Sequence, residues 1–218
     1  MLKTNKILVF DFETTGLNPQ FDQIIELGAQ LYISKENQYI LTKELNLLIK
    51  SPTPLSPKII EITNITDEML EQDGVDEEVA FYELTNLIDD ETLLIAYNIA
   101  FDLGFLKALY QKYQNPRFEI TNNILDVMAI YKDRHPFPHR LDNLVQKYQV
   151  EVKNTHRALD DVKATFEGLI KMNEELPNIE VYINKLGYNP KYNYSGPYMR
   201  HVKLIAQKGG MGEIVKNG

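Results

Sequence analysis

The sequence predicts an α/β domain built on a mixed β-sheet, and two features of its order carry that prediction. Strand-like segments come first, before residue 50, and beyond residue 90 short apolar strand segments alternate with helical ones. No internal repeat interrupts this order. Strands followed by strand–helix alternation are the pattern of a sheet covered by helices.

Ile7-Leu8-Val9-Phe10 is a short apolar, β-rich run that continues through Asp11-Phe12-Glu13 and stops at Thr14-Thr15-Gly16. It reads as a buried strand running into a turn. Residues 24–33 and 38–49 read as two further strands, joined by the polar hairpin connection Ser34-Lys35-Glu36-Asn37. Pro52, Pro54 and Pro57 mark a loop, and helical patterns follow near 57–63, 66–71 and 76–89. Thr92 to Ala96 is a short strand. Apolar residues at 101, 105, 106, 109 and 113 make a helical stripe. Ile124-Leu125 forms a brief strand before a helix from about 126. Leu141, Leu144, Val145 and Tyr148 fit another helix, and residues 157–172 a long one with Pro177 beyond its end. Gly187 to Pro197, rich in Tyr, Asn, Gly and Pro, reads as a linker into a tail.

With 44% apolar residues in 218, the chain has material for a substantial core. It contains no cysteine, which excludes disulfides, thiolate zinc sites and cysteine nucleophiles. Any metal must be held by oxygen or imidazole, and carboxylate sites favour hard ions such as Mg²⁺ or Mn²⁺. No apolar run is long enough to span a bilayer, and the N-terminus does not read as a signal peptide, so a cytoplasmic location without membrane partners is expected. The net charge of −8 conceals a division. Residues 1–180 hold 17 Lys+Arg and 30 Asp+Glu, a net of −13; residues 181–218 hold 6 basic residues and one acid, a net of +5.

Three segments hold candidate chemistry. Asp11 and Glu13 lie two apart on a strand, so their carboxylates share one face. Burying both there is costly unless a cation compensates them, although a strand end reaching solvent would also explain them. Asp102 opens a helix just after Asn98, where it could equally cap the helix or complement its dipole, and Asn98 could be a turn residue. In His156-Arg157-Ala158-Leu159-Asp160-Asp161, an ideal helix would put Asp160 on the face of His156. If His156 precedes the helix, Asp161 can instead point at the sheet. Helical geometry alone leaves that choice open, and both acids could be ordinary first-turn residues.

Taken together, in this order and these contexts, the segments resemble the DEDD exonucleases with a histidine in the third motif (DEDDh), the group of the epsilon proofreading subunit of bacterial DNA polymerase III. Asp11 to Gly16 resembles the first exonuclease motif, Asn98 to Asp102 the second, and His156 to Asp161 the third; His139-Arg140-Leu141-Asp142-Asn143-Leu144 resembles the stretch before it. The likeness runs from about residue 5 to 173. It implies a ribonuclease-H-like fold and 3′→5′ removal of nucleotides. It implies metal binding by Asp11, Glu13, Asp102 and Asp161, with His156 as general base, and so selects Asp161 over Asp160. Two departures stand out: Tyr97 where the family often has His, and Asn64 where it commonly has Gly. Asn tolerates the left-handed conformation, so that turn is expected to survive.

Two divalent ions, Mg²⁺ or Mn²⁺, are the expected cofactors. Thr14, Thr15, Gly16 and Leu17 are expected against the terminal nucleotide, with Asn98 joining the substrate-facing set; Gly16 would permit close backbone approach, or serve only its turn. The expected substrate is a single-stranded DNA 3′ end, with RNA as the alternative, since discrimination rests on 2′-OH contacts. A DNA polymerase is the expected partner, with a non-catalytic polymerase-binding subunit as the competing reading. Residues 1–180 are assigned to the exonuclease domain and 181–218 to a basic, tyrosine-rich extension. Its basic and aromatic residues suit single-strand binding, or its tyrosines pack on the domain. Arg200 to Ala206 resembles, over a short stretch, the segment after the exonuclease of C-type replicative polymerases.

Overall fold

The computed structural model describes residues 2–36, 38–152, 156–209 and 211–218. Three long strands open the chain, β1 (Lys6–Thr14), β2 (Ile24–Lys35) and β3 (Gln38–Leu48). Three helices follow, α1 (Pro57–Thr63), α2 (Asp67–Asp73) and α3 (Glu77–Thr85). Strand–helix alternation then gives β4 (Leu93–Ala96), α4 (Ile99–Tyr113), β5 (Ile124–Asp126), α5 (Val127–Arg134), α6 (Leu141–Tyr148) and α7 (Ala158–Glu175). The five strands form one sheet in the order β3-β2-β1-β4-β5. β2 is antiparallel to both β1 and β3, whereas β4 runs parallel to β1 and β5 parallel to β4. The sheet is therefore mixed, as the order of segments predicts. Of the expected hairpin connection, Asn37 lies outside the described residues.

Alternation along β1 builds both layers. Leu8, Phe10 and Phe12 point into a core completed by Phe81 and Leu84 of α3 and Leu103, Leu106 and Leu109 of α4. Ile7 and Val9 point to the opposite face, into a core completed by α5, α6 and α7. Period-2 geometry carries Asp11 and Glu13 onto this second face, where the apolar pattern of β1 gives way to charge. Asn64 ends α1 in the left-handed conformation (φ 56°), and its N–H donates to the Ile60 carbonyl, so the turn survives without glycine.

The expected linker at 187–197 is corrected by the structure. Gly187 and Tyr188 belong to β6 (Lys185–Tyr188), which pairs in parallel with β7 (Lys203–Ala206), and α8 (Glu213–Asn217) follows. These elements are packed onto the domain. Tyr182, Leu186, Met199, Ile205 and Ile214 are all buried in its cores. The buried Asp133 carboxylate accepts from the Tyr182 hydroxyl at 3.0 Å and the Ile214 N–H at 2.8 Å, tying α8 to α5. Strands of four residues, paired across a 14-residue gap, leave too short a periodicity to be seen locally.

Candidate active site

The site lies on the face of the sheet covered by α7, where β1 ends. Phe10 and Phe12 lock β1 from below, their rings in edge contact at 5.6 Å. Asp11 and Glu13 project the other way and are half-buried. Asp102, in the first turn of α4, is 1% exposed, and its Oδ1 accepts from the Phe12 N–H at 3.2 Å. An acid on α4 is thereby fastened to the backbone between the two acids of β1. Asp161 sits buried in the first turn of α7, and its Oδ1 has no hydrogen-bond partner among the described residues.

His156 lies outside α7, two residues before it, with φ 54°. That position lets the imidazole overhang the site while Asp161 points at the sheet. Ligand-capable atoms of Glu13, His156 and Asp161 all lie within 4.8 Å of one another. Asp160, half-buried on the preceding position of the helix, stands outside that cluster. Asp11 lies close enough to feel the charges of Asp102, Asp161, Glu13 and Glu26.

Crowding these acids away from water raises their proton affinity. Burial first, then the Asp161 and Glu26 charges, pushes Glu13 up to about 8 against a partial offset from Arg157. Burial, then Asp142, Asp160 and Glu26, pushes Asp161 up to about 7. Asp11 and Asp102 are also raised well above the ordinary carboxylate range, burial again leading. Buried carboxylates that repel one another, one with an orphaned oxygen, fit a hard divalent cation.

Residues that the sequence did not single out hold the site in shape. Glu26 on β2 is fully buried, and its Oε1 accepts from Arg157 Nε at 2.9 Å and Nη2 at 2.6 Å. Its Oε2 accepts from the N–H of Ala158, the first residue of α7, at 2.9 Å. One buried carboxylate thus pins the start of α7 over β1. Gly28 permits the same approach, because a Cβ there would lie 2.4 Å from the Ala158 carbonyl carbon. A signal existed in the charge interrupting Ile24-Ile25-Glu26-Leu27-Gly28-Ala29. Asp126 is the counterpart for the second motif. Its Oδ1 accepts from the Asn98 and Met128 N–H groups at 3.1 and 3.0 Å, and burial pushes it up to about 6. In sequence it looks like an ordinary helix cap, which it also is.

The expected substrate-facing residues lie at the end of β1, in the turn after it and at the start of α4. Leu17 is 84% exposed, and Asn98 is exposed in the left-handed conformation. Thr14 donates through Oγ1 to the Gly16 carbonyl at 2.6 Å, and Thr15 Oγ1 accepts from the Gln23 N–H at 2.9 Å. Gly16 abuts the Asp22 carboxylate, 2.4 Å from where its Cβ would be, so its small size already serves the turn. Tyr97, the departure from the family's usual His, donates its hydroxyl to the His139 carbonyl at 2.8 Å. It joins the second motif to the loop before α6.

The family model described as "Exonuclease" matches residues 8–169, a span that takes in nearly all of β1 and most of α7. The chain belongs to the exonuclease family. Among curated relatives of this exonuclease chain, the DNA polymerase III PolC-type of Bacillus subtilis (strain 168) is 33% identical over 213 residues. That alignment covers 94% of the chain and 14% of the relative. The PolC-type protein of Staphylococcus aureus is 34% identical over 214 residues, covering 95% and 14%. The chain therefore spans about a seventh of the length of these relatives. Among solved structures, the zinc-bound exonuclease I–single-stranded DNA complex of E. coli superposes with a TM-score of 0.69 at 21% identity. It covers 83% of the chain and 43% of its own. The E. coli exonuclease I complex with a dA16 oligonucleotide gives 0.66 at 22%, covering 80% and 42%. These likenesses show the fold: a mixed five-stranded sheet flanked by helices, of the ribonuclease-H-like exonuclease kind.

Proposed function

We propose that the chain is a metal-dependent 3′→5′ exonuclease that removes nucleoside monophosphates one at a time from single-stranded DNA 3′ ends, in proofreading or repair. The observation that carries this reading is the side-chain cluster at the end of β1, where Glu13, His156 and Asp161 converge beside Asp11 and Asp102. The relatives are named as DNA polymerases and the structural neighbours include single-stranded DNA complexes. Both support DNA as substrate and a polymerase as partner.

In this reading Asp11, Glu13, Asp102 and Asp161 hold two divalent ions, Mg²⁺ or Mn²⁺. When bound, such ions neutralise the acids, help ionise water and stabilise the leaving oxygen. His156, set outside α7 by its left-handed backbone, accepts the proton of the attacking water. A new P–O bond forms, the P–O3′ bond breaks, and the shortened strand keeps its 3′ oxygen as a hydroxyl. Asp102 holds its position through the Phe12 N–H, so the second motif moves with the first. Leu17 offers an apolar surface to the terminal base, and Thr14, Thr15, Gly16 and Asn98 shape the rim around it.

Digestion of a 5′-labelled single-stranded DNA oligonucleotide with Mg²⁺ or Mn²⁺ tests the reading, with Asp11→Ala and EDTA as controls and a matched RNA beside it. A ladder shortening from the 3′ end, absent in both controls, is expected. Folded protein that gives no ladder on DNA with either metal would overturn it.

A further inference from the structure

The acid-free stretch 181–212 has no part in the chemistry above, yet it is the basic portion of an acidic chain. It holds five Lys or Arg and five tyrosines. The fold sorts four of those tyrosines into two kinds. Tyr182 is buried against Asp133, and Tyr194 is half-buried with its hydroxyl donated to the Pro197 carbonyl at 3.0 Å. Tyr192 and Tyr198 remain 72% and 71% exposed. Packing on the domain therefore accounts for the first pair and leaves the second unexplained. The Lys191 ammonium stands 5.4 Å from the centre of the Tyr192 ring, and Arg200 is exposed just past Tyr198.

Location supplies a meaning. A Cβ on Gly196 would lie 2.9 Å from the Cβ of Ala100, so this segment rests on the first turn of α4, two residues from Asp102. Tyr194 lies near Asp126, the carboxylate that holds the Asn98 N–H. The segment thus passes beside the second motif at the start of α4 and runs from there toward His201, whose Nε2 lies 2.9 Å from the Asn122 carbonyl at the other end of β5. A strand with its 3′ end at the acids and its body passing the second motif runs out along this segment. Residues 1–180 carry a net −13 and repel its phosphates, whereas 181–218 carry +5.

We propose that the surface formed by Lys191, Tyr192, Tyr198 and Arg200 is a track for the nucleotides upstream of the scissile bond. The two rings stack on bases, and the two cations neutralise backbone phosphates. The inference rests on the exonuclease reading and adds a second contact zone to it, one that a single-nucleotide substrate never reaches.

Two double variants test it, Tyr192→Ala with Tyr198→Ala and Lys191→Ala with Arg200→Ala. Each is compared with wild type on the p-nitrophenyl ester of thymidine 5′-monophosphate and on an oligothymidylate of about a dozen nucleotides, within the range of single-strand sites. Affinity for the fluorescent oligonucleotide is measured separately in EDTA. Ester hydrolysis should match wild type. On the oligonucleotide, the tyrosine pair should lose about tenfold or more in kcat/KM and affinity, and Tyr192→Phe with Tyr198→Phe should restore it. The cation pair should flatten the slope of log affinity against log salt by roughly 0.7 for each phosphate that is no longer neutralised. Unchanged oligonucleotide affinity in both pairs would overturn the track and leave this face for a protein partner. A wild type inert on both substrates would sink the exonuclease reading, while the affinities would still decide the track.

Discussion

At the scale of single residues, the site is a set of carboxylates that the fold makes expensive. Glu13 and Asp161, pushed to about 8 and 7, hold protons at pH values where an unfolded chain has released them. The folded state then binds more protons than the unfolded one, so stability falls as pH rises from about 4 through these values. The metal-free protein should therefore show a lower Tm at pH 9 than at pH 5 in EDTA, and Mn²⁺ should recover most at the alkaline end. A flat Tm across that range would mean that the acids are not strained by burial. Asp161→Asn should reduce the alkaline loss while weakening Mn²⁺ binding by calorimetry. His156 is proposed to have a different task, that of general base. His156→Ala should cut kcat by about 10²- to 10⁴-fold, the usual range for a general base, and leave Mn²⁺ affinity near wild type. Retained turnover in that variant would remove the base role.

At the scale of elements, the decisive contact is between β2 and the start of α7. Glu26 converts a strand residue into an anchor for the Arg157 side chain and the Ala158 N–H. Glu26→Ala leaves a cation and a buried N–H without their acceptor, and should cost about 3 kcal/mol in urea unfolding, the lower end for a broken buried pair because Arg157 reaches solvent. Glu26→Gln keeps the shape but sets an NH2 donor against either the Arg157 guanidinium or the Ala158 N–H. It should lower kcat more than it raises KM, because His156 and Asp161 move with α7 while the turn after β1, proposed to face the substrate, does not. Equal loss in both parameters would argue for general unfolding instead. Gly28→Ala should act similarly through sterics, at about 1–3 kcal/mol, since its Cβ meets backbone rather than a side chain that can turn away.

At the scale of the whole molecule, the basic extension is a buttress as well as a surface. Truncation after residue 180 would remove Tyr182, Leu186, Met199, Ile205 and Ile214 from the cores and strip the Asp133 carboxylate of three donors. At about 1.5–3 kcal/mol for each large apolar side chain, the loss is comparable to the whole stability of an ordinary domain. A fragment ending at 180 should accordingly lose cooperative thermal unfolding by circular dichroism, even though the change of composition falls there. A fragment that melts sharply near the full-length Tm would show that the extension is dispensable for folding. Among the described residues, no helix is long and apolar enough to cross a membrane.

The sequence by itself determined the mixed sheet, the order of its elements and the facing of Asp11 and Glu13. These follow from period-2 and period-3.6 patterns that act over a few residues. Motif spacing nominated Asp102, His156 and Asp161, and the likeness to a family chose Asp161 where helical geometry left two acids open. Tertiary structure decided what joins distant segments. Glu26 and Ala158 are 132 residues apart, Asp126 and Asn98 meet from the ends of different strands, and β6 finds β7 only because both lie on one domain. Local periodicity carries no record of such pairings, because each depends on where the chain has already been brought by the burial of its apolar faces.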